Sequence, residues 1–101
     1  MYDGATNHLF VANLNDDSIS IIDMGSRSVS RVVPIGSNSD NFAVDSKRHA
    51  LYVGDIGSGT VYVLDTRSGA TLGTIQAAQQ ASAVAVDPET KTLYVADQVA
   101  R

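Results

Sequence analysis

Cysteine is missing from this chain of 101 residues, and only two residues are proline and two histidine. Without cysteine there is no disulfide, no thiolate nucleophile and no zinc cluster built on sulfur; the redox compartment stays open, because a cysteine-free chain can live anywhere. No apolar run approaches the length of a transmembrane helix. The start, Met1-Tyr2-Asp3, lacks a basic segment followed by an apolar one, so it does not read as a signal peptide and reads instead as entry into a repeat. There is no Gly-x-x-x-x-Gly-Lys-Ser/Thr phosphate loop and no Gly-x-Ser-x-Gly elbow. Serines are numerous but cluster at turns such as Ser26-Arg27-Ser28 and Ser37-Asn38-Ser39, where hydroxyls cap the backbone, and no base can be assigned to any of them.

What the chain does have is a 42-residue self-similarity along its length. Leu9-Phe10-Val11-Ala12-Asn13 maps onto Leu51-Tyr52-Val53-Gly54-Asp55 and onto Leu93-Tyr94-Val95-Ala96-Asp97. The same offset carries Asp3 onto Asp45 and Asp87, Ile19-Ser20-Ile21-Ile22-Asp23 onto Val61-Tyr62-Val63-Leu64-Asp65, and Phe42-Ala43-Val44 onto Val84-Ala85-Val86. Periods of this size mark solenoids, propellers and related arrays. Within the central repeat, Asn41 to Val44, Leu51 to Asp55, Thr60 to Asp65 and Thr71 to Gln76 read as four strands, β-branched or aromatic and bounded by Gly, Asp, Asn or Ser. Leu9/Val11 and Phe10/Ala12 put apolar groups on both faces of one strand, so such a sheet needs cover on both sides, as neighbouring blades provide in a propeller. The fold class expected is therefore all-β: propeller blades of four antiparallel strands.

The residues Phe-Val-Ala-Asn, Tyr-Val-Gly-Asp and Tyr-Val-Ala-Asp on the second strand, followed by Val-Tyr-Val-Leu-Asp-Thr and Ala-Val-Ala-Val-Asp-Pro, resemble the Tyr-Val-Thr-Asn (YVTN) family of β-propeller repeats. Members often carry Gly-Pro before the first strand, where this chain has Ser39-Asp40-Asn41 and Ala81-Ser82-Ala83. The resemblance implies a periplasmic or extracellular setting. It also spans two activity classes: non-enzymatic binding propellers, and lactonase-like or lyase-like enzymes whose catalytic groups would lie in other blades.

About 2.4 repeats fit into 101 residues, and each blade needs neighbours to bury both faces of its sheet. The expected division is a partial first blade over 1–40, a complete second over 41–82 and the first two strands of a third over 83–101. A closed ring needs about four to eight blades. The chain is thus expected to be a fragment of a larger propeller or a unit that self-assembles through exposed blade faces, a natural or engineered oligomer being the alternative.

His8 and His49 fall out of repeat register before the second strand and read as solvated turn residues. Asp3, Asp23, Asp45, Asp65 and Asp87 recur at strand ends, which argues for turn capping in every blade. Asn13, Asp55 and Asp97 recur at the end of the second strand as caps of the following loop. Because strands alternate direction, the loops after the second and fourth strands share one face of the disc. That face collects Asp16, Asp17, Asp40, Asp55 and Asp97, with Arg101 its only cation, whereas the opposite face mixes Arg27, Lys47, Arg48, Arg67 and Lys91 with acids. The net charge of −4 points the same way. An acidic face repels nucleic-acid phosphate and suits cations or basic partners. The candidate ligand-binding residues are Asn15, Asp16, Asp17, Asn38, Asp40, Asn41, Asp55 and Asp97. Oxygen-rich loops of this kind suit a protein partner, a small polar or cationic ligand, or a calcium-like cation, though their spacing matches no EF-hand. Neither a membrane nor nucleic acid is an expected partner.

Overall fold

The computed structural model describes residues 1–13, 17–35, 41–55, 59–76 and 81–97, and of 81, 82, 96 and 97 the backbone alone. Every element among them is a strand: β1 (Tyr2–Asp3), β2 (His8–Asn13), β3 (Ser18–Asp23), β4 (Ser28–Pro34), β5 (Asn41–Asp45), β6 (Ala50–Gly54), β7 (Thr60–Asp65), β8 (Thr71–Gln76), β9 (Ala81–Asp87) and β10 (Thr92–Asp97). They form sheets in simple sequence order, β1-β2-β3-β4, β5-β6-β7-β8 and the pair β9-β10, antiparallel throughout. Each strand pairs with its chain neighbour because the connections are short hairpin turns, which favour antiparallel partners.

The 42-residue period is written into the backbone as well as the sequence. The β3/β4 ladder shifts register between Ile21 and Ile22, and the β7/β8 ladder shifts between Val63 and Leu64, one repeat later. Such a bulge bends the outer strand and increases its twist. Positive φ angles recur at Asn7, His49 and Lys91, at Arg27 and Gly69, and at Asp17 and Gly59. Each set is spaced by the repeat, although the residue types differ. The left-handed conformation costs a non-glycine residue roughly 1–2 kcal/mol, so the turn geometry, and not the local residue, fixes the backbone there.

Alternation along the strands gives each sheet two apolar faces. In the first sheet the cross-strand neighbours Phe10, Ile21, Ala12, Ile19 and Val33 share the face turned to the second sheet. The second sheet answers with Phe42, Val44, Leu51, Val53, Tyr62 and Leu64. Phe10, Ile19, Leu51, Val53 and Leu64 are at most 1% exposed, so the main core of the described residues is this seam between sheets. At roughly 25 cal/mol per Å² of apolar surface removed from water, each fully buried Leu, Ile or Phe side chain contributes about 1.5–3 kcal/mol. The other face of the second sheet, with Ala43, Tyr52 and Val61, is covered by β9, which packs on β5 and β6.

Candidate functional site

Two edges of the stacked sheets differ in what they do. One carries the turns between first and second strands and between third and fourth strands. There the recurrent aspartates close the same Asx turn in every repeat: an Oδ1 accepts from the N–H two residues on, in Asp3–Ala5 (3.2 Å), Asp23–Gly25 (3.0 Å), Asp45–Lys47 (3.1 Å), Asp65–Arg67 (2.8 Å) and Asp87–Glu89 (3.0 Å). The turns are also tied to each other, Met24 N–H donating to Asn7 O and Thr66 N–H to His49 O, both at 3.0 Å and one repeat apart.

The same edge joins one sheet to the next. Ser46 Oγ donates to Asp3 Oδ1 at 2.6 Å, Arg31 Nη1 to Ser68 O at 2.8 Å and Arg48 Nη1 to Pro88 O at 2.9 Å, while Lys47 Nζ meets Glu89 at 2.6 Å. Asp3, 1% exposed, also accepts from Thr6 Oγ1 at 2.8 Å. Burial pushes its pKa up, but the hydrogen bonds from Ser46, Thr6 and Ala5, with a smaller charge contribution from His49, outweigh burial and hold the carboxyl below its ordinary value. Asp45 follows the same logic: burial raises it, and the Arg48 guanidinium at 2.8 Å with the Arg48 and Lys47 N–H groups brings it down. At Asp65 the Arg67 side chain is the leading cause of the lowering.

The two histidines depart from the solvated-turn expectation in different ways: His8 is not in a turn, and His49 is a turn residue but half-buried. His8 lies in β2, half-buried, with Nδ1 2.8 Å from Thr66 O of the next sheet. His49 stands in the β5–β6 turn with φ of 54°. Its Nδ1 is buried without a hydrogen-bond partner, as is Thr66 Oγ1, in a residue with no exposed surface. The fold brings both histidine residues to the backbone of Thr66, the His8 ring to its carbonyl and the His49 carbonyl to its N–H.

The opposite edge carries the loops after second and fourth strands, where the candidate ligand residues fall. Asn15, Asp16, Asn38 and Asp40 lie outside the described residues. Asp17 is exposed, adopts φ of 52° and accepts the Ile35 N–H at 2.8 Å through its carbonyl. Asn41 opens β5 and is half-buried. Asp55 follows β6 and is 2% exposed, its backbone closing the β6–β7 connection through Asp55 N–H to Thr60 O (2.9 Å) and Gly59 N–H to Asp55 O (2.8 Å). Asp97 ends β10 opposite Ala81. Asn13 turns inward along its hairpin, Nδ2 donating to Ser20 Oγ at 2.7 Å and Ser18 Oγ at 3.2 Å. The described members of the set therefore share an edge, while only Asp17 among them is shown with an open side chain. Among the described residues no group of three or more His, Asp or Glu side chains is placed to hold a metal.

No protein-family profile matches the chain, and no curated protein matches it. Solved structures do. A chain of hydrazine synthase from Kuenenia stuttgartiensis superposes with a TM-score of 0.84 at 25% identity, over 95% of this chain and 27% of that one. Dihydro-heme d1 dehydrogenase NirN gives 0.80 at 25% identity, over 94% and 22%. The β-propeller domain of Cps50 (Swd1) from Myceliophteria thermophila gives 0.72 at 16% identity, over 87% and 28%. The sheets are β-propeller blades, and the chain forms part of a propeller. It spans about a quarter of the length of each of these neighbours.

Proposed function

We propose that the chain is a binding or scaffolding segment of an extracytoplasmic YVTN-type propeller, meeting a basic protein surface or a small cationic or polar ligand through the acidic loop edge. The observation that carries this reading is the division of labour between the two edges. Among the described residues, the interblade hydrogen bonds named above and the Asx turns all sit on one edge, and on the opposite edge Asp17 is exposed. The YVTN assignment and the periplasmic or extracellular setting are supported by the sequence motifs alone. Self-association through the end blades belongs to the same reading, since each blade needs cover on two faces.

The test is titration of the chain with calcium and, separately, with a lysine-rich peptide, beside a variant carrying Asp16→Asn, Asp17→Asn and Asp40→Asn. Binding that weakens with added salt and is lost in the variant is the expected result. A silent titration with both probes overturns the reading. A second reading, a segment of a propeller enzyme, draws support from hydrazine synthase and the dihydro-heme d1 dehydrogenase among the neighbours. In that case catalytic groups would lie in blades beyond those described.

A further inference from the structure

The two joints between blades are built from different chemistry. Asp3 of the first blade, Asp45 of the second and Asp87 of the third are repeat equivalents, each closing an Asx turn. Among the described contacts of these three carboxylates, only one crosses to the next blade: Asp3 Oδ1 accepts from Ser46 Oγ of the second blade at 2.6 Å. One repeat on, the residue in the place of Ser46 is Pro88, which has neither a hydroxyl nor an N–H to offer Asp45. Asp45 engages its oxygens within its own turn instead, on the Lys47 and Arg48 N–H groups and on the Arg48 guanidinium. The joint from the second blade to the third is carried by Arg48 Nη1 on Pro88 O at 2.9 Å and by the exposed Lys47–Glu89 pair. A guanidinium keeps its charge throughout, and an exposed ion pair contributes little.

The joint from the first blade to the second therefore rests in part on a buried carboxylate, and its bond to a hydroxyl across the gap is strengthened by the charge. The titratable groups facing Asp3 come from both blades. His8 stands opposite it on β2, with Asp23 opposite His8 on β3, and His49 belongs to the same β5–β6 turn as Ser46. Lys47 and Arg48 of that turn are held by Glu89 and Asp45. The charge of His49 favours the ionised Asp3 carboxyl, so His49 helps to keep the contact closed and does not open it.

We propose that Asp3 and Ser46 form an acid-released latch between the first and second blades, and that the second and third blades, which lack it, stay joined under the same acid. The direction follows from which form of Asp3 is stabilised. The bonds from Ser46, Thr6 and Ala5 favour the ionised carboxyl and hold its pKa below the ordinary value. Their contribution is full above the ordinary carboxylate range and is lost as pH falls below it. Acid thus weakens one joint ahead of the other, whatever the loops on the far edge bind.

The experiment uses single-cysteine variants of the cysteine-free chain. Val33→Cys places a thiol in the seam between the first and second sheets, and Val61→Cys places one on the face of the second sheet that β9 covers, both at buried positions. Labelling by 2,2′-dithiodipyridine, which reacts with thiols in acid, is followed by mass spectrometry from neutrality down to roughly pH 2, below the ordinary aspartate value. Each rate is divided by that of the same variant in denaturant at the same pH. The Val33→Cys thiol is expected to gain at least about tenfold over the Val61→Cys thiol in acid, the scale of one lost hydrogen bond to a charged group. Adding Ser46→Ala to Val33→Cys should raise its labelling about tenfold at neutral pH and shrink the acid step, because the bonds left to Asp3 lie within the first blade. Pro88 shows that the fold accepts this repeat position without a hydroxyl. Equal acceleration of the two thiols in acid overturns the proposal, as does no acceleration at Val33→Cys. So does a Ser46→Ala variant whose acid step is undiminished.

Discussion

Gly69 makes a close approach across the blade seam, and adding one methyl group there tests whether the seam is packed as described. Its φ of +77° is one that L side chains rarely adopt, and a Cβ built on it would lie 2.6 Å from Ile21 Cδ1, 3.1 Å from Arg31 Cδ and 3.3 Å from Val33 Cγ2, all on the neighbouring sheet. Ile21 could give way at its tip only by moving within a core where it is 2% exposed. For Gly69→Ala the left-handed backbone costs about 1–2 kcal/mol, and overpacking against a full core adds about 1–3 kcal/mol. A total of roughly 2–5 kcal/mol corresponds to a fall in Tm of about 8–40 °C for a domain this size. Arg27 is the internal control. It occupies the same repeat position with φ of 57°, but its side chain is exposed. Replacing it by glycine relieves backbone strain while freeing the unfolded chain, so Arg27→Gly should stay within about 1 kcal/mol of the parent. Equilibrium denaturant unfolding of the three proteins under one set of conditions makes the comparison. A Gly69→Ala protein within about 0.5 kcal/mol of the parent, smaller than either cost alone, would refute the seam geometry.

Other substitutions probe the polar half of the seam. Asp3→Asn should cost about 1.5–3 kcal/mol at neutral pH, as expected for hydrogen bonds to a charged group. Because the folded-state pKa of Asp3 is depressed, its contribution is full above the unfolded value of about 3.9 and is lost as pH falls through the folded value; pH-dependent unfolding should show that slope in the parent and a weaker one in Asp3→Asn. Thr66→Val removes a buried hydroxyl whose oxygen has no partner and keeps the shape, so thermal unfolding should find it neutral or stabilising by up to about 1 kcal/mol; a loss above that would mean the hydroxyl is bonded. Glu89→Gln breaks the Lys47 ion pair, whose side chains are 59% and 77% exposed, and should change stability by less than about 1 kcal/mol, with any effect fading in salt.

The strands were legible because their cause is local and repeated. The β7 and β8 bounds, Thr60–Asp65 and Thr71–Gln76, follow from β-branched runs closed by Asp and Gly, and the Asx turns of Asp3, Asp23, Asp45, Asp65 and Asp87 follow from a carboxylate two residues before a free N–H. What stayed hidden depends on placement in space. Asn7, His49 and Lys91 share a left-handed backbone that no single residue type announces; only the hairpin geometry common to the blades makes them equivalent. His8 read as a solvated turn residue because nothing in the chain says that Thr66, far along the sequence, presents its carbonyl to the ring. Arg31 and Ser46 likewise have no repeat signature and are recognisable as seam residues only once the blades are stacked. Among the candidate ligand residues, the shared edge was legible from strand alternation, whereas the burial of Asp55 was not, since a carboxylate at a strand end looks the same in sequence whether it faces water or its own loop.

The placement of the polar contacts bears on how such a molecule can change without coming apart. Asp3, Ser46, Arg48, His8 and Thr66 tie neighbouring blades at the turn edge, and the apolar seam does so through the middle of the sheets. A loop on the far edge can then be altered without removing any of these contacts, because its strands are already held in register by the opposite turns and the core between them. Recognition chemistry is least costly to build where sequence is free of such structural duty. Under the binding reading proposed above, a repeat that uses its recurrent aspartates as turn caps on one edge, with further aspartates such as Asp16 and Asp40 outside the repeat pattern, would separate folding from recognition within a single blade.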